Sequence, residues 1–167
     1  MRVPVIAACF ACMYACGLRI FEARSLKTTA IDAKRHVLRI IGKGNKERLV
    51  TLPESLLREL RRVWSLHRNP VWVFAKRPTG NPISITSLSR ALADAAKAAG
   101  LPRVGSHVFR HSFATRLLER EVGIEKVQIL LGHEDPKTTR TYLHLTEPVR
   151  DGIRAEVESF SADIFRQ

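Results

Sequence analysis

The stretch "HVLRIIGKGNKERLVTL", His36 to Leu52, reads as two short strands around a turn. Apolar residues fall at Val37, Leu38, Ile40 and Ile41, then again at Leu49, Val50 and Leu52, with the Gly-rich "GKGNK" between the two runs. With Ile31 just upstream, this predicts a small antiparallel sheet of about three strands between Ala30 and Leu52. On both sides the period becomes helical. Upstream, Val5, Cys9, Cys12 and Cys16 mark one face of a helix from Pro4 to Cys16 that Gly17 ends. Downstream, "ESLLRELRRVWSLH" places Leu56, Leu60, Val63 and Trp64 on one stripe. "ITSLSRALADAAKAAG" is expected to start with Thr86 as its N-cap and to close at Gly100. "HVFRHSFATRLLER" begins a helix after Gly105-Ser106, and "IEKVQILLG" ends in a C-cap at Gly132. Asp135-Pro136 then reads as the cap and first residue of another short helix, with Tyr142 about two turns in. The segment "HRNPVWVFAKRPTGNPIS" is a connector too short to link domains. The fold class that follows is α+β, mainly helical, with its sheet near the N-terminal third.

The length fits one domain, and an apolar content of 45% is enough for a core. No apolar run reaches the length of a membrane span and no signal-peptide pattern opens the chain, so a cytoplasmic protein is expected. The charge is more informative. A net of +12 is unevenly spread, with ten basic against three acidic side chains in residues 1–52, eight against three in 53–100, and ten against ten in 101–167. A basic surface over the first two-thirds points to a polyanion, and nucleic acid is the partner expected. The three cysteines sit at helical spacing with no second cluster, which reads as packing in a reduced protein rather than a metal site.

His107, Arg110 and His111 form an H-x-x-R-H pattern, and the first two share a face near a helix N-terminus, where anions are attracted. A zinc-protease reading needs Glu at position 108, where the chain has Val. Acidic side chains are too few in the basic two-thirds to build a metal-carboxylate nuclease. Phosphate chemistry without metal needs a nucleophile, positive donors for the non-bridging oxygens and an acid for the leaving oxygen. Arginine supplies a planar fork, lysine a proton and tyrosine an attacking oxygen. Arg19, Lys43, His107, Arg110, His133 and Tyr142 together supply all of these. His111 and Tyr14 read instead as packed residues, and Arg116 and His144 as surface residues.

The blocks "CGLRIFEARSL", "GKGNKERLVTLP", "HVFRHSFATRLLE" and "VQILLGHEDPKTTRTYLHL" resemble, in order, the signature blocks of the tyrosine recombinase (phage-integrase) family, from about Ala8 to Leu145. The resemblance implies that family's DNA breaking-rejoining catalytic fold. It also implies roles: Arg19 and Arg110 grip the scissile phosphate, Lys43 protonates the leaving 5′-hydroxyl, and His107 assists proton transfer. His133 supports the transition state, and Tyr142 is the nucleophile that forms a 3′-phosphotyrosyl link. Because that link keeps the bond energy, neither ATP nor a metal is required. The implied partners are duplex DNA and further copies of the chain, monomeric when free and tetrameric on paired sites.

Two departures stand out. Phe109 occupies a position where the family usually has Leu. The catalytic domain, residues 1–147, also begins almost at Met1, with no N-terminal core-binding domain. That leaves a compact member like the short fimbrial-switch invertases, a truncated reading frame or an excised domain. Residues 148–167 form a tail helix with an apolar stripe at Ile153, Val157, Phe160 and Ile164, and residues 147–167 carry a net charge of −2. The stripe packs either on its own domain or on a neighbouring protomer. The expected function is site-specific cleavage and rejoining of DNA strands. The alternatives are relaxation of the type IB topoisomerase kind, and a recombinase-derived DNA-binding or regulatory protein.

Overall fold

Side-chain alternation along two paired strands sets the architecture. The computed structural model describes residues 2–42, 47–132 and 147–165. β1 (Ile31–Asp32), β2 (Val37–Ile41) and β3 (Glu47–Thr51) pair antiparallel in the order β1-β2-β3. The register sets Leu38 opposite Val50 and Ile40 opposite Arg48. Leu38, Ile40 and Val50 are buried, while Arg39 and Ile41 face outward. Since successive side chains point to opposite faces, Arg48 shares the inner face with Val50 despite its charge.

Helix α1 (Arg2–Cys16) is the hub of the core. Val5, Cys9, Cys12 and Cys16 are buried as their spacing predicts, and Ala8, Met13 and Ala15 are buried as well. The helix is therefore covered around most of its circumference, and its many small side chains let neighbouring helices close in. Those neighbours are α3 (Glu54–Ser65), α5 (His107–Glu119) and α7 (Glu147–Ser161). Burial pushes the thiols of Cys9 and Cys16 well above their ordinary pKa. Cys16 Sγ donates to the Thr51 carbonyl at 3.4 Å and so ties α1 to β3.

Between these lie α2 (Ile20–Arg24), α4 (Ile85–Ala98) and α6 (Ile124–Leu131). Two local expectations are corrected. The N-cap of α4 is Ser84, whose Oγ accepts from the Ser87 backbone at 3.2 Å, so Thr86 lies inside the first turn. On α3, Leu57 is buried beside Leu56, Leu60 and Val63, whereas Trp64 lies at the rim and its indole N–H donates to the Asn69 carbonyl at 2.7 Å. The connector after α3 is a packed part of the domain. Val73, Phe74 and Ile83 join the buried residues, and buried His67 and Asn69 bond its backbone.

The tail helix α7 lies against its own chain. Ile153, Val157 and Phe160 are buried, and Phe160 meets Tyr14 edge-on with ring centroids 5.7 Å apart. Tyr14 is only half-buried, at the edge of this contact rather than in the core. Ile164, in a final 3₁₀ turn (Ala162–Phe165), is 38% exposed. A carboxylate completes the docking. Position 53, before α3, is Pro and has no side-chain acceptor for the orphan amides of the first turn. Glu158 of α7 fills that role, accepting from the backbone of Glu54 at 2.6 Å and of Ser55 at 3.1 Å.

Candidate active site

The site forms where three helix ends meet β3. Gly17 follows α1 with φ +60, and a Cβ there would lie 2.6 Å from Phe113 Cδ1, so this position requires glycine. The turn exposes the Gly17 carbonyl to Arg110 on α5. Arg110 Nη1 donates to that oxygen at 2.7 Å, and Nη2 donates to the carbonyl of Leu131 at the end of α6. One guanidinium thus joins the C-termini of two helices, where the macrodipole favours a cation. Gly132, the expected C-cap, adopts the left-handed conformation at φ +64.

Arg19 is the N-cap of α2. Its backbone N–H donates to Glu22 Oε2 at 2.8 Å and its Nη1 to Glu22 Oε1 at 3.2 Å. The same carboxylate receives a two-toothed pair from Arg48, Nη1 to Oε1 and Nη2 to Oε2, both at 2.8 Å. The Arg48 and Glu22 side chains are each only 7% exposed, while that of Arg19 is 41% exposed. Burial pushes the Glu22 carboxyl upward, but the bonds and charge of Arg48, joined by Arg19, outweigh it and hold the group below its usual value. Arg110 moves the other way. Burial, then the charges of Arg19 and Arg48, lower it to about 10, with Glu22 only partly compensating. Three guanidiniums around one carboxylate make a positive site suited to an anion.

His107 is the first residue of α5, exposed and one turn before Arg110. His111, expected to be packed, is exposed. Phe109 stacks on Phe10 of α1 with centroids 5.2 Å apart, so the aromatic ring is held by a face of α1. The structure therefore gathers Arg19 and Arg110 and places His107 on the helix that carries Arg110. Lys43, His133 and Tyr142 lie outside the described residues, as does the helix start at Asp135-Pro136. Glu22 and Arg48 were not anticipated as part of this cluster. The signal for Arg48 was its register, a charge on the same strand face as Val50.

The description "phage integrase family" belongs to a family model that matches residues 5–148. The chain belongs to the phage integrase family. It is 34% identical over 151 residues to the tyrosine recombinase XerD of Pseudomonas putida, covering 86% of this chain and 51% of that one. It is 36% identical over 137 residues to a tyrosine recombinase of Thermosipho africanus, covering 81% and 48%. Among solved structures, the integrase from mycobacterium phage Brujita superposes with a TM-score of 0.74 at 25% identity, covering 98% of this chain and 53% of the phage protein. The XerH recombinase bound to palindromic difH substrate, a post-cleavage complex, gives a TM-score of 0.66 at 29% identity, covering 91% and 46%. The three-stranded antiparallel sheet within a mainly helical domain is thus the tyrosine-recombinase catalytic fold. The integrase-family chain spans about half the length of the relatives it matches. Among the described residues, no helix is long and apolar enough to cross a membrane.

Proposed function

We propose that this domain cleaves and rejoins duplex DNA through a covalent phosphotyrosyl intermediate. The observation that carries the reading is the convergence of Arg19 and Arg110 at a site with more positive than negative charge, in a member of the integrase family. A guanidinium has five N–H donors. The two carbonyl bonds of Arg110 therefore leave further donors for the non-bridging oxygens of a phosphodiester. In this reading the Tyr142 oxygen attacks phosphorus and the 5′-oxygen leaves, taking a proton from Lys43. His107 and His133 assist proton movement and hold the phosphoryl oxygens. The 3′-phosphotyrosyl ester is later attacked by a 5′-hydroxyl, which restores the DNA bond and returns the phenol. Positive side chains stabilise the charge throughout, so no ATP or metal enters the scheme. The partners are duplex DNA and further copies of the chain, assembled as a tetramer on paired sites.

A nicked suicide duplex tests the proposal. The chain should form a covalent protein–DNA adduct in EDTA, and Tyr142→Phe should bind the duplex equally well and form none. An adduct that persists in Tyr142→Phe, or one that needs added magnesium, would overturn the mechanism. Binding with no adduct at all would favour a DNA-binding protein derived from a recombinase.

A further inference from the structure

We propose that Arg48 is a positioning residue: by engaging both oxygens of Glu22 it limits Arg19 to one side-chain bond with that carboxylate and leaves the remaining donors of the Arg19 guanidinium for phosphate. The inference rests on the strand-cleaving reading above and adds a residue to it.

The geometry has three parts. Arg48 meets Glu22 with two parallel 2.8 Å bonds, while Arg19 reaches the same carboxylate with one side-chain bond of 3.2 Å. The arginine with the stronger grip is buried, and the one with the weaker grip is 41% exposed. The stem of Arg48 also seals the end of α6, since a Cβ built on Gly132 would lie 2.8 Å from Arg48 Cδ. Leu131, the residue before Gly132, gives its carbonyl to Arg110. Arg48 therefore touches the holder of Arg19 on one side and the helix end that holds Arg110 on the other.

Stability alone does not account for this arrangement. A buried ion pair forfeits the hydration of both charges, and apolar residues of similar volume often serve a fold equally well. Ile40 lies opposite Arg48 and Val50 follows on the same face, so an aliphatic side chain would suit the register. A function for the charge lies in what Glu22 would otherwise do. Glu22 is needed at the start of α2, where it accepts from the Arg19 backbone. Without Arg48, its buried negative charge is left to Arg19, which already bonds it, since Arg110, though near enough to feel the charge, is held on two backbone carbonyls. The Arg19 fork would then fold inward and pair with Glu22 in the two-toothed geometry that carboxylate and phosphate share.

The test is a charge rescue read by cleavage. Wild type, Arg48→Met and Arg48→Met/Glu22→Gln are compared for single-turnover adduct formation on the nicked duplex, with duplex affinity measured alongside. Arg48→Met should slow adduct formation by about 10²-fold, the scale of losing one transition-state donor, while affinity stays within about threefold. Adding Glu22→Gln removes the competing charge and should recover at least about tenfold of that rate. Because neutralising Glu22 also relieves an unpaired buried charge, thermal melts of all three proteins run alongside. The rate loss and its recovery have to appear in folded protein saturated with duplex, and a rate that merely follows the folded fraction overturns the proposal. Wild-type rates in Arg48→Met, or no recovery in the double variant, would overturn the proposal. If Arg48→Met does not fold, the double variant, whose two side chains are neutral, decides alone. It has to cleave within about tenfold of wild type, and slower cleavage overturns the proposal. A wild type that forms no adduct refutes the strand-cleaving reading itself, an outcome separate from failure of the rescue.

Discussion

Arg110 donates from Nη1 to the carbonyl oxygen of Gly17 at 2.7 Å, across 93 positions of sequence. This bond makes the turn after α1 part of the candidate site, because the glycine conformation that ends the helix also aims the oxygen. Gly17 serves packing at the same time, since its missing side chain is the space that the Phe113 ring occupies.

Gly17→Ala should therefore destabilise the domain twice over. A positive φ costs about 1–2 kcal/mol for an alanine, and the overlap with Phe113 adds roughly 1–3 kcal/mol of overpacking. Urea denaturation should show a lowered midpoint. Adduct formation should fall as well, because the carbonyl that holds Arg110 moves.

Arg110→Lys keeps the charge but cannot bond two carbonyls and a phosphate in one plane. Adduct formation should drop by about 10²–10³, with duplex binding retained. A rate near wild type would mean that point charge suffices and that the fork is irrelevant.

Acid should act through Glu22. Its carboxyl is held below the ordinary value of 4.5, so the ionised form contributes stability that is fully present above that pH. The contribution is lost as pH falls through the lower folded value, because protonation removes an acceptor from Arg48. Denaturation of wild type and Glu22→Gln from neutral into acid should show a stability gap that narrows with falling pH. A gap independent of pH would contradict the assignment.

Much of this was legible in the sequence. The cysteine stripe, the two main strands, the αL cap at Gly132 and the helical start at His107 all follow from local period and cap chemistry. Local signals failed where partners are distant. Nothing near Pro53 announces that Glu158 will cap α3, and nothing near Glu22 announces Arg48. Ser84 was passed over for Thr86 because the apolar rhythm of "PISITS" hides where the extended chain stops and the helix begins. The arginine pair of the candidate site could be named from motifs, but the carboxylate that organises it could not. Lys43, His133 and Tyr142 lie outside the described residues, so their placement rests on the motifs alone.

Removing the Glu158 carboxylate should cost about 1–2 kcal/mol, the scale of losing a helix N-cap. For a chain of this size that lowers the melting temperature by roughly 2–8 °C. Glu158→Gln keeps one acceptor and should lose less than Glu158→Ala. Equal stability of all three proteins would show that the cap is idle.

The same cap orders events in time. The amides it satisfies, at Glu54 and Ser55, leave the ribosome 104 and 103 positions before the carboxylate that receives them. Val157 and Phe160, which help cover α1, arrive equally late. A nascent chain that has made its sheet and first helices still lacks their lid, and contacts of such long sequence separation form slowly. The domain therefore closes only once α7 has been made and can fold back onto α1 and α3. Chains stalled before α7 should be the ones that chaperones and proteases find.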